Sequence, residues 1–152
     1  MSIKGSLSKE ILDTILVLDF GSQYTQLIAR RVRELGVYSE IYPWDIAPEK
    51  ISSLSPKGVI LSGGPESVTK ENTPRIPEIV FNLDIPILGI CYGMQTLAEQ
   101  NGGSVQTSSM KEFGHAELKI EHSSKIFNGL GTDNLDVWMS HGDHVSILPD
   151  GF

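Results

Sequence analysis

One cysteine occurs in the 152 residues, Cys91, and it stands midway between two glycines in Gly89-Ile90-Cys91-Tyr92-Gly93. Residues 86–90, Pro-Ile-Leu-Gly-Ile, form a short apolar run opened by proline, the pattern of a buried strand. From Tyr92 the spacing turns helical, with Met94, Leu97 and Ala98 on one face, and Gly102-Gly103 supplies the stop. A nucleophile on a sharp strand-to-helix corner sits in a strained backbone conformation, and the residues two positions either side must be small to clear the turn. The free N–H groups and partial positive charge of the helix start favour thiolate over thiol. The same N–H groups can hold a developing oxyanion. A lone cysteine by itself reads as a small buried hydrophobe; the strand, the paired glycines and the helix together point to a nucleophile.

Ser62-Gly63-Gly64-Pro65 follows another apolar run, residues 58–61. Gly-Gly is either a bare turn or backbone that approaches a ligand closely with an N–H aimed at a carbonyl oxygen. Beside a reactive thiol the second reading gains. His141-Gly142-Asp143-His144 offers two imidazoles and one acid, too few ligands for a metal site, and reads as a solvated turn following Ser140. His141 is also a candidate general base for Cys91, while His115 and His122 read as surface residues. There is no G-x-x-x-x-G-K-[ST] sequence, and the glycines at 89 and 93 do not make G-x-G-x-x-G, so neither a phosphate loop nor a dinucleotide fingerprint is indicated.

The elements that must position these residues can be read in order. Residues 1–14 form a polar leader, expected to be flexible, and residues 15–152 one domain. Residues 15–18 are a first buried strand ending at Asp19. Residues 20–24 turn into a helix whose stripe is Leu27, Ile28, Val32 and Leu35. Strands follow at residues 37–42, 58–61 and 86–90, with helices at 48–54 and 76–83. Alternating strands and helices mean a parallel sheet with right-handed crossovers, and uninterrupted apolar runs fit strands buried on both faces. The expected fold is α/β, an open, mostly parallel twisted sheet flanked by helices, flavodoxin-like, with a small antiparallel add-on at residues 116–121 and 135–139. Ligands in such sheets bind beyond the carboxyl ends of the strands. Residues 19–23, 62–66 and 91–95 all belong there, so the thiol and the glycine turn are expected to converge.

A net charge of −7 argues against a nucleic-acid or anionic-membrane surface. One cysteine excludes an internal disulfide framework and suits a reducing compartment. No run has the length of a signal-peptide core or a transmembrane span, so a cytoplasmic location is expected. Pro149-Asp150-Gly151 is a strong turn signal with only Phe152 after it. This reads as a domain incomplete at its C-terminus.

Gly89-Ile90-Cys91-Tyr92-Gly93-Met94-Gln95 resembles the nucleophile motif of the class I glutamine amidotransferases. The stretches Leu18-Asp19-Phe20-Gly21-Ser22-Gln23-Tyr24-Thr25-Gln26-Leu27, Leu61-Ser62-Gly63-Gly64-Pro65-Glu66-Ser67 and Val137-Trp138-Met139-Ser140-His141-Gly142-Asp143 are similar to the GMP synthase branch of that family. The resemblance implies hydrolysis of the side-chain amide of L-glutamine through a thioester on Cys91. It also implies an oxyanion hole from the backbone N–H groups of Gly64 and Tyr92, and a glutamine pocket involving Gly63, Gln95, Ser140, Gly142 and Asp143. It implies no metal and no cofactor for this domain. The ammonia would pass to an ATP-pyrophosphatase (synthetase) domain using ATP, Mg2+ and XMP, in a full-length homodimer. The family's Phe-His-Pro-Glu stretch, which carries the catalytic histidine and glutamate, does not occur in these residues. By that resemblance the fragment alone is expected to be inactive. Two other readings of the residues alone are an elbow-cysteine hydrolase or redox protein that does not use glutamine, and a flavodoxin-like binding module.

Overall fold

The computed structural model describes residues 13–121, 124–130 and 134–152, with the side chains of residues 108–112 and 141 outside that description. The first apolar run becomes β1 (Thr14–Asp19), in which the consecutive residues Leu16, Val17 and Leu18 are all fully buried. Successive strand side chains point to opposite faces, so β1 is covered on both sides, as a central parallel strand must be. It pairs in parallel with β2 (Tyr38–Pro43) and β3 (Gly58–Leu61), and β3 pairs with β4 (Ile87–Gly89), giving the order β2-β1-β3-β4. The crossovers carry α1 (Thr25–Glu34), α2 (Pro48–Leu54) and the single turn α3 (Glu78–Phe81). Helix α4 (Tyr92–Gln100) leaves β4 directly. A separate antiparallel ribbon follows, β5 (Ser104–Lys119) and β6 (Asn134–Ile147), with a 3-10 turn at Lys125–Phe127 between them.

One cluster joins the sheet to three helices. Leu16, Leu18, Val59 and Leu61 meet Ile51 of α2, Val80 of α3 and Leu97 of α4. Phe20 and Tyr92 close the cluster at the carboxyl end of the sheet, their rings 5.5 Å apart. Burying side chains of this size stabilises by roughly 1.5–3 kcal/mol each, so the carboxyl end of the sheet rests on a well-buried cluster.

Several expected details differ. In α1 the buried residues are Thr25 and Ala29, with Ile28 and Val32 half-buried, whereas Leu27 is 45% exposed and Leu35, the C-cap, 83%. Positions 25, 28, 29 and 32 share one helical face, and the two leucines lie off it. Helix α3 is shorter than residues 76–83 because Pro77 is its extended N-cap and Asn82 its C-cap. Met94 is 39% exposed, while the residues either side, Gly93 and Gln95, are buried. The add-on strands are longer than expected, and residues 140–143 are not a turn but part of β6. Gly142 invites a turn locally, yet β6 pairs with β5 on either side of it, His141 with Glu112 and Asp143 with Thr107, and this overrides that preference.

At the exposed end of α1, Arg30 and Arg31 reach the Glu34 carboxylate at 3.0 and 2.7 Å. These bonds, the one from Arg31 first, hold the Glu34 carboxyl below its usual range. The small stabilisation this gives is present above the unfolded-state value and is lost as pH falls through the folded one. No helix among the described residues is long and apolar enough to cross a membrane.

Candidate active site

The β4–α4 junction is a corner. Cys91 caps α4 at φ 53° and ψ −116°, left-handed backbone that costs a side-chain-bearing residue on the order of 1–3 kcal/mol. The surroundings over-determine it. Ile90 N–H donates to Leu61 O at 3.0 Å, Gly93 N–H to Ser62 O and Ile90 O at 3.0 Å, and Gln95 N–H to Cys91 O at 3.1 Å. A Cβ on Gly89 would lie 2.6 Å from Met94 Cα, and one on Gly93 2.5 Å from Leu61 O, so the close approach requires glycine at both flanks. The corner lifts Cys91 to a half-buried position, with its Sγ 3.6 Å from the carbonyl oxygen of Ser140 on β6.

The Gly63-Gly64 turn leaves β3 next to this corner. The added Cβ of Gly63 would sit 3.4 Å from Cys91 Cβ, and that of Gly64 only 2.4 Å from Phe20 O. The loop that follows, residues 62–77, is tied to α4 by side chains. Tyr92 OH donates to Pro74 O at 2.5 Å. Gln100 accepts from Ile76 N–H at 2.8 Å and donates to Ile76 O at 3.1 Å, while Thr96 Oγ1 donates to the same Gln100 oxygen at 3.0 Å. Among the described residues, neither the Gly64 N–H nor the Tyr92 N–H finds an acceptor within the protein, and both residues line a cleft with Cys91. On the other side, the Asp19 carboxylate accepts from Gly21 N–H at 2.9 Å and Thr25 Oγ1 at 2.8 Å. This fixes the turn from β1 into α1.

Two hollows meet at the thiol. The first, about 480 Å³, is lined by Gly64, Cys91, Tyr92, Gln95, Ser140, Gly142 and Asp143, seven of the eight residues singled out from the sequence. The eighth, Gly63, lines a second hollow of about 500 Å³ on the side of Tyr24 and Trp138, with Gly64, Pro65, Cys91 and Ser140 shared between the two. Gln95 is buried and donates through Nε2 to Asp143 O at 3.0 Å, joining α4 to the ribbon. The Asp143 carboxylate accepts a short hydrogen bond from the Ser67 hydroxyl, and Ser67 Oγ lies 2.8 Å from Thr69 Oγ1. The ribbon reaches the cleft because its ladder slips: pairing jumps from Thr107 with Asp143 to Glu112 with His141, so a longer stretch of β5 bulges out opposite Gly142.

Ser67, Lys70, Thr107 and Phe113 also line the first hollow and were not singled out from the sequence. Ser67 merely closes the stretch that begins at Leu61, and no motif marks the other three; the loop tether and the ribbon bulge bring them in. The His141 side chain and His122 lie outside the described residues. His144 on β6 and His115 on β5 are both exposed, and His115 bonds Asp136 at 2.9 Å. The assembled groups suit nucleophilic attack by a thiol on an acyl carbon, with two backbone donors beside it for the resulting oxyanion.

Fold and corner together are those of an α/β protein whose cysteine is placed to suit acyl chemistry, and comparison with known proteins narrows the class. The family model "Glutamine amidotransferase class-I" matches residues 16–152. The chain is 58% identical over 154 residues to a GMP synthase (glutamine-hydrolysing) of Colwellia psychrerythraea, covering 96% of this chain and 29% of that protein. It is 61% identical over 146 residues to the corresponding protein of Hahella chejuensis, covering 91% and 28%. Among solved structures, a Thermoplasma acidophilum protein provisionally assigned to GMP synthase superposes with a TM-score of 0.74 at 35% identity, over 91% of this chain and 69% of that one. The chain belongs to the class I glutamine amidotransferase family. It spans less than a third of the length of the curated relatives it matches.

Proposed function

We propose that this chain is the glutamine-hydrolysing part of a GMP synthase. Cys91 attacks the side-chain amide carbon of L-glutamine, and the carbon–sulfur bond forms as the carbonyl electrons move onto oxygen. The N–H groups of Gly64 and Tyr92 receive that oxyanion. The thiol proton passes to the amide nitrogen, the C–N bond breaks and ammonia leaves; the γ-glutamyl thioester that remains is hydrolysed by water to glutamate and the free Cys91 thiol. Gln95, Ser140, Gly142 and Asp143 shape the glutamine end of the cleft, with Gly63 behind the thiol. In the cytoplasmic full-length protein the ammonia reaches a synthetase domain where ATP and Mg2+ activate XMP for conversion to GMP. The observation that carries this reading is the half-exposed sulfur on a φ 53° corner, next to two N–H groups with no acceptor of their own among the described residues.

The test is Cys91→Ala in the intact protein. Glutamine-dependent synthesis falls by roughly 10⁴-fold or more, as expected when a covalent nucleophile is removed, while synthesis from added ammonia persists. Equal loss of both activities would make Cys91 a structural residue and defeat the proposal.

A further inference from the structure

The oxyanion role given to the Gly64 N–H, on which this inference rests, depends on how one peptide plane is turned. In a planar trans peptide the C=O and N–H point in opposite directions, so whatever holds Gly63 O decides where Gly64 N–H faces. Gly-Gly has the least conformational preference of any dipeptide, and left alone this peptide could flip.

Ser62 prevents the flip. Its side chain is fully buried, and its Oγ donates to Gly63 O at 2.9 Å. The same oxygen accepts from Phe20 N–H at 3.0 Å. With one lone pair occupied by Phe20, the hydroxyl proton is directed to Gly63. The main chain of Ser62 is fixed as well: its N–H donates to Leu18 O, and its C=O accepts from Gly93 N–H, both at 3.0 Å. One residue therefore spans the end of β1, the Cys91 corner and the Gly-Gly turn. We propose that Ser62 is the positioning residue of the oxyanion hole: by holding the Gly63 carbonyl inward, its hydroxyl keeps the Gly64 N–H facing the cleft beside the thiol. Ser62 touches neither substrate nor thiol in this role; it acts through the peptide it orients.

A merely structural hydroxyl would change stability and leave the kinetic constants alone. A positioning hydroxyl changes the transition state and not substrate binding. In the intact protein, Ser62→Ala lowers kcat for glutamine hydrolysis by roughly 10–100-fold with KM within about twofold, since a misplaced donor costs in that range. An aldehyde analogue of glutamine gives an independent reading. The Cys91 sulfur adds to its carbonyl carbon, the thiol proton passes to the oxygen, and that oxygen occupies the hole. Its affinity falls by a similar factor in Ser62→Ala. Should Ser62→Ala not melt cooperatively, the equal-sized pair Ser62→Thr and Ser62→Val carries the test, the hydroxyl-bearing variant turning over at least about tenfold faster. Unchanged kcat, or a rise in KM alone, overturns the proposal. Cys91→Ala separates the two claims: if it retains glutamine hydrolysis the glutaminase reading itself fails, and if it abolishes hydrolysis while Ser62→Ala does not lower kcat, only the Ser62 assignment falls.

Discussion

The two halves of the cleft are built by different physics. On one side stand β1, β3, β4 and the start of α4, where positions are set by backbone hydrogen bonds and by close approaches that only glycine permits. On the other stands the β5–β6 ribbon, whose exposed residues include Phe113 at 66% and Trp138 at 78%. Its hold on the site runs through a few polar contacts at Ser140 and Asp143. The first half should be intolerant of change and carry the chemistry. The second should tolerate change and tune binding.

Substitutions can sharpen or break that contrast. On the sheet side, Gly93→Ala forces a methyl to 2.5 Å from Leu61 O and 2.6 Å from Leu61 Cβ. It should destabilise by about 3 kcal/mol or prevent folding, as overpacking of a backbone contact does, read by denaturant unfolding. A loss under about 1 kcal/mol would mean that the corner is not rigid. At the joint between the halves, Ser67→Ala removes the hydroxyl donor to the Asp143 carboxylate. A hydrogen bond to a charged group contributes roughly 1.5–3 kcal/mol when buried, and less at this partly exposed position. KM for glutamine should therefore rise about 3- to 10-fold with kcat unchanged, and a fall in kcat instead would tie the loop to the chemistry. On the ribbon, Trp138→Ala should alter unfolding by no more than about 0.5 kcal/mol, the usual scale for an exposed site. A large loss there would show that the ribbon is part of the core.

Legibility in the sequence follows the same division. The strand runs at 15–18 and 58–61 declared themselves because both faces are buried, and helix 48–54 because a proline opens it. The Cys91 corner was legible because its glycines stand at fixed offsets from the cysteine, Gly89 excluded from any other identity by the start of α4 and Gly93 by Leu61 of β3. The role of Ser62 was not legible, since nothing in Ser-Gly-Gly-Pro says which way a peptide plane faces. Residues 140–143 misled for a related reason: Ser-His-Gly-Asp has turn composition, and only the partner strand, distant in sequence, makes it β. The contacts of Ser67 and Gln100 were not legible because their partners, Asp143 and Ile76, are brought to them by the fold.

The central claim is that Cys91 is a glutamine-directed nucleophile. It is tested most directly by treating the intact protein with an electrophilic diazoketone analogue of glutamine and locating the adduct by peptide mass spectrometry. The account predicts a single adduct on Cys91, formed with saturation and suppressed by L-glutamine. Labelling that glutamine does not suppress, or that is matched by a simple alkylating agent of equal reactivity, would contradict it.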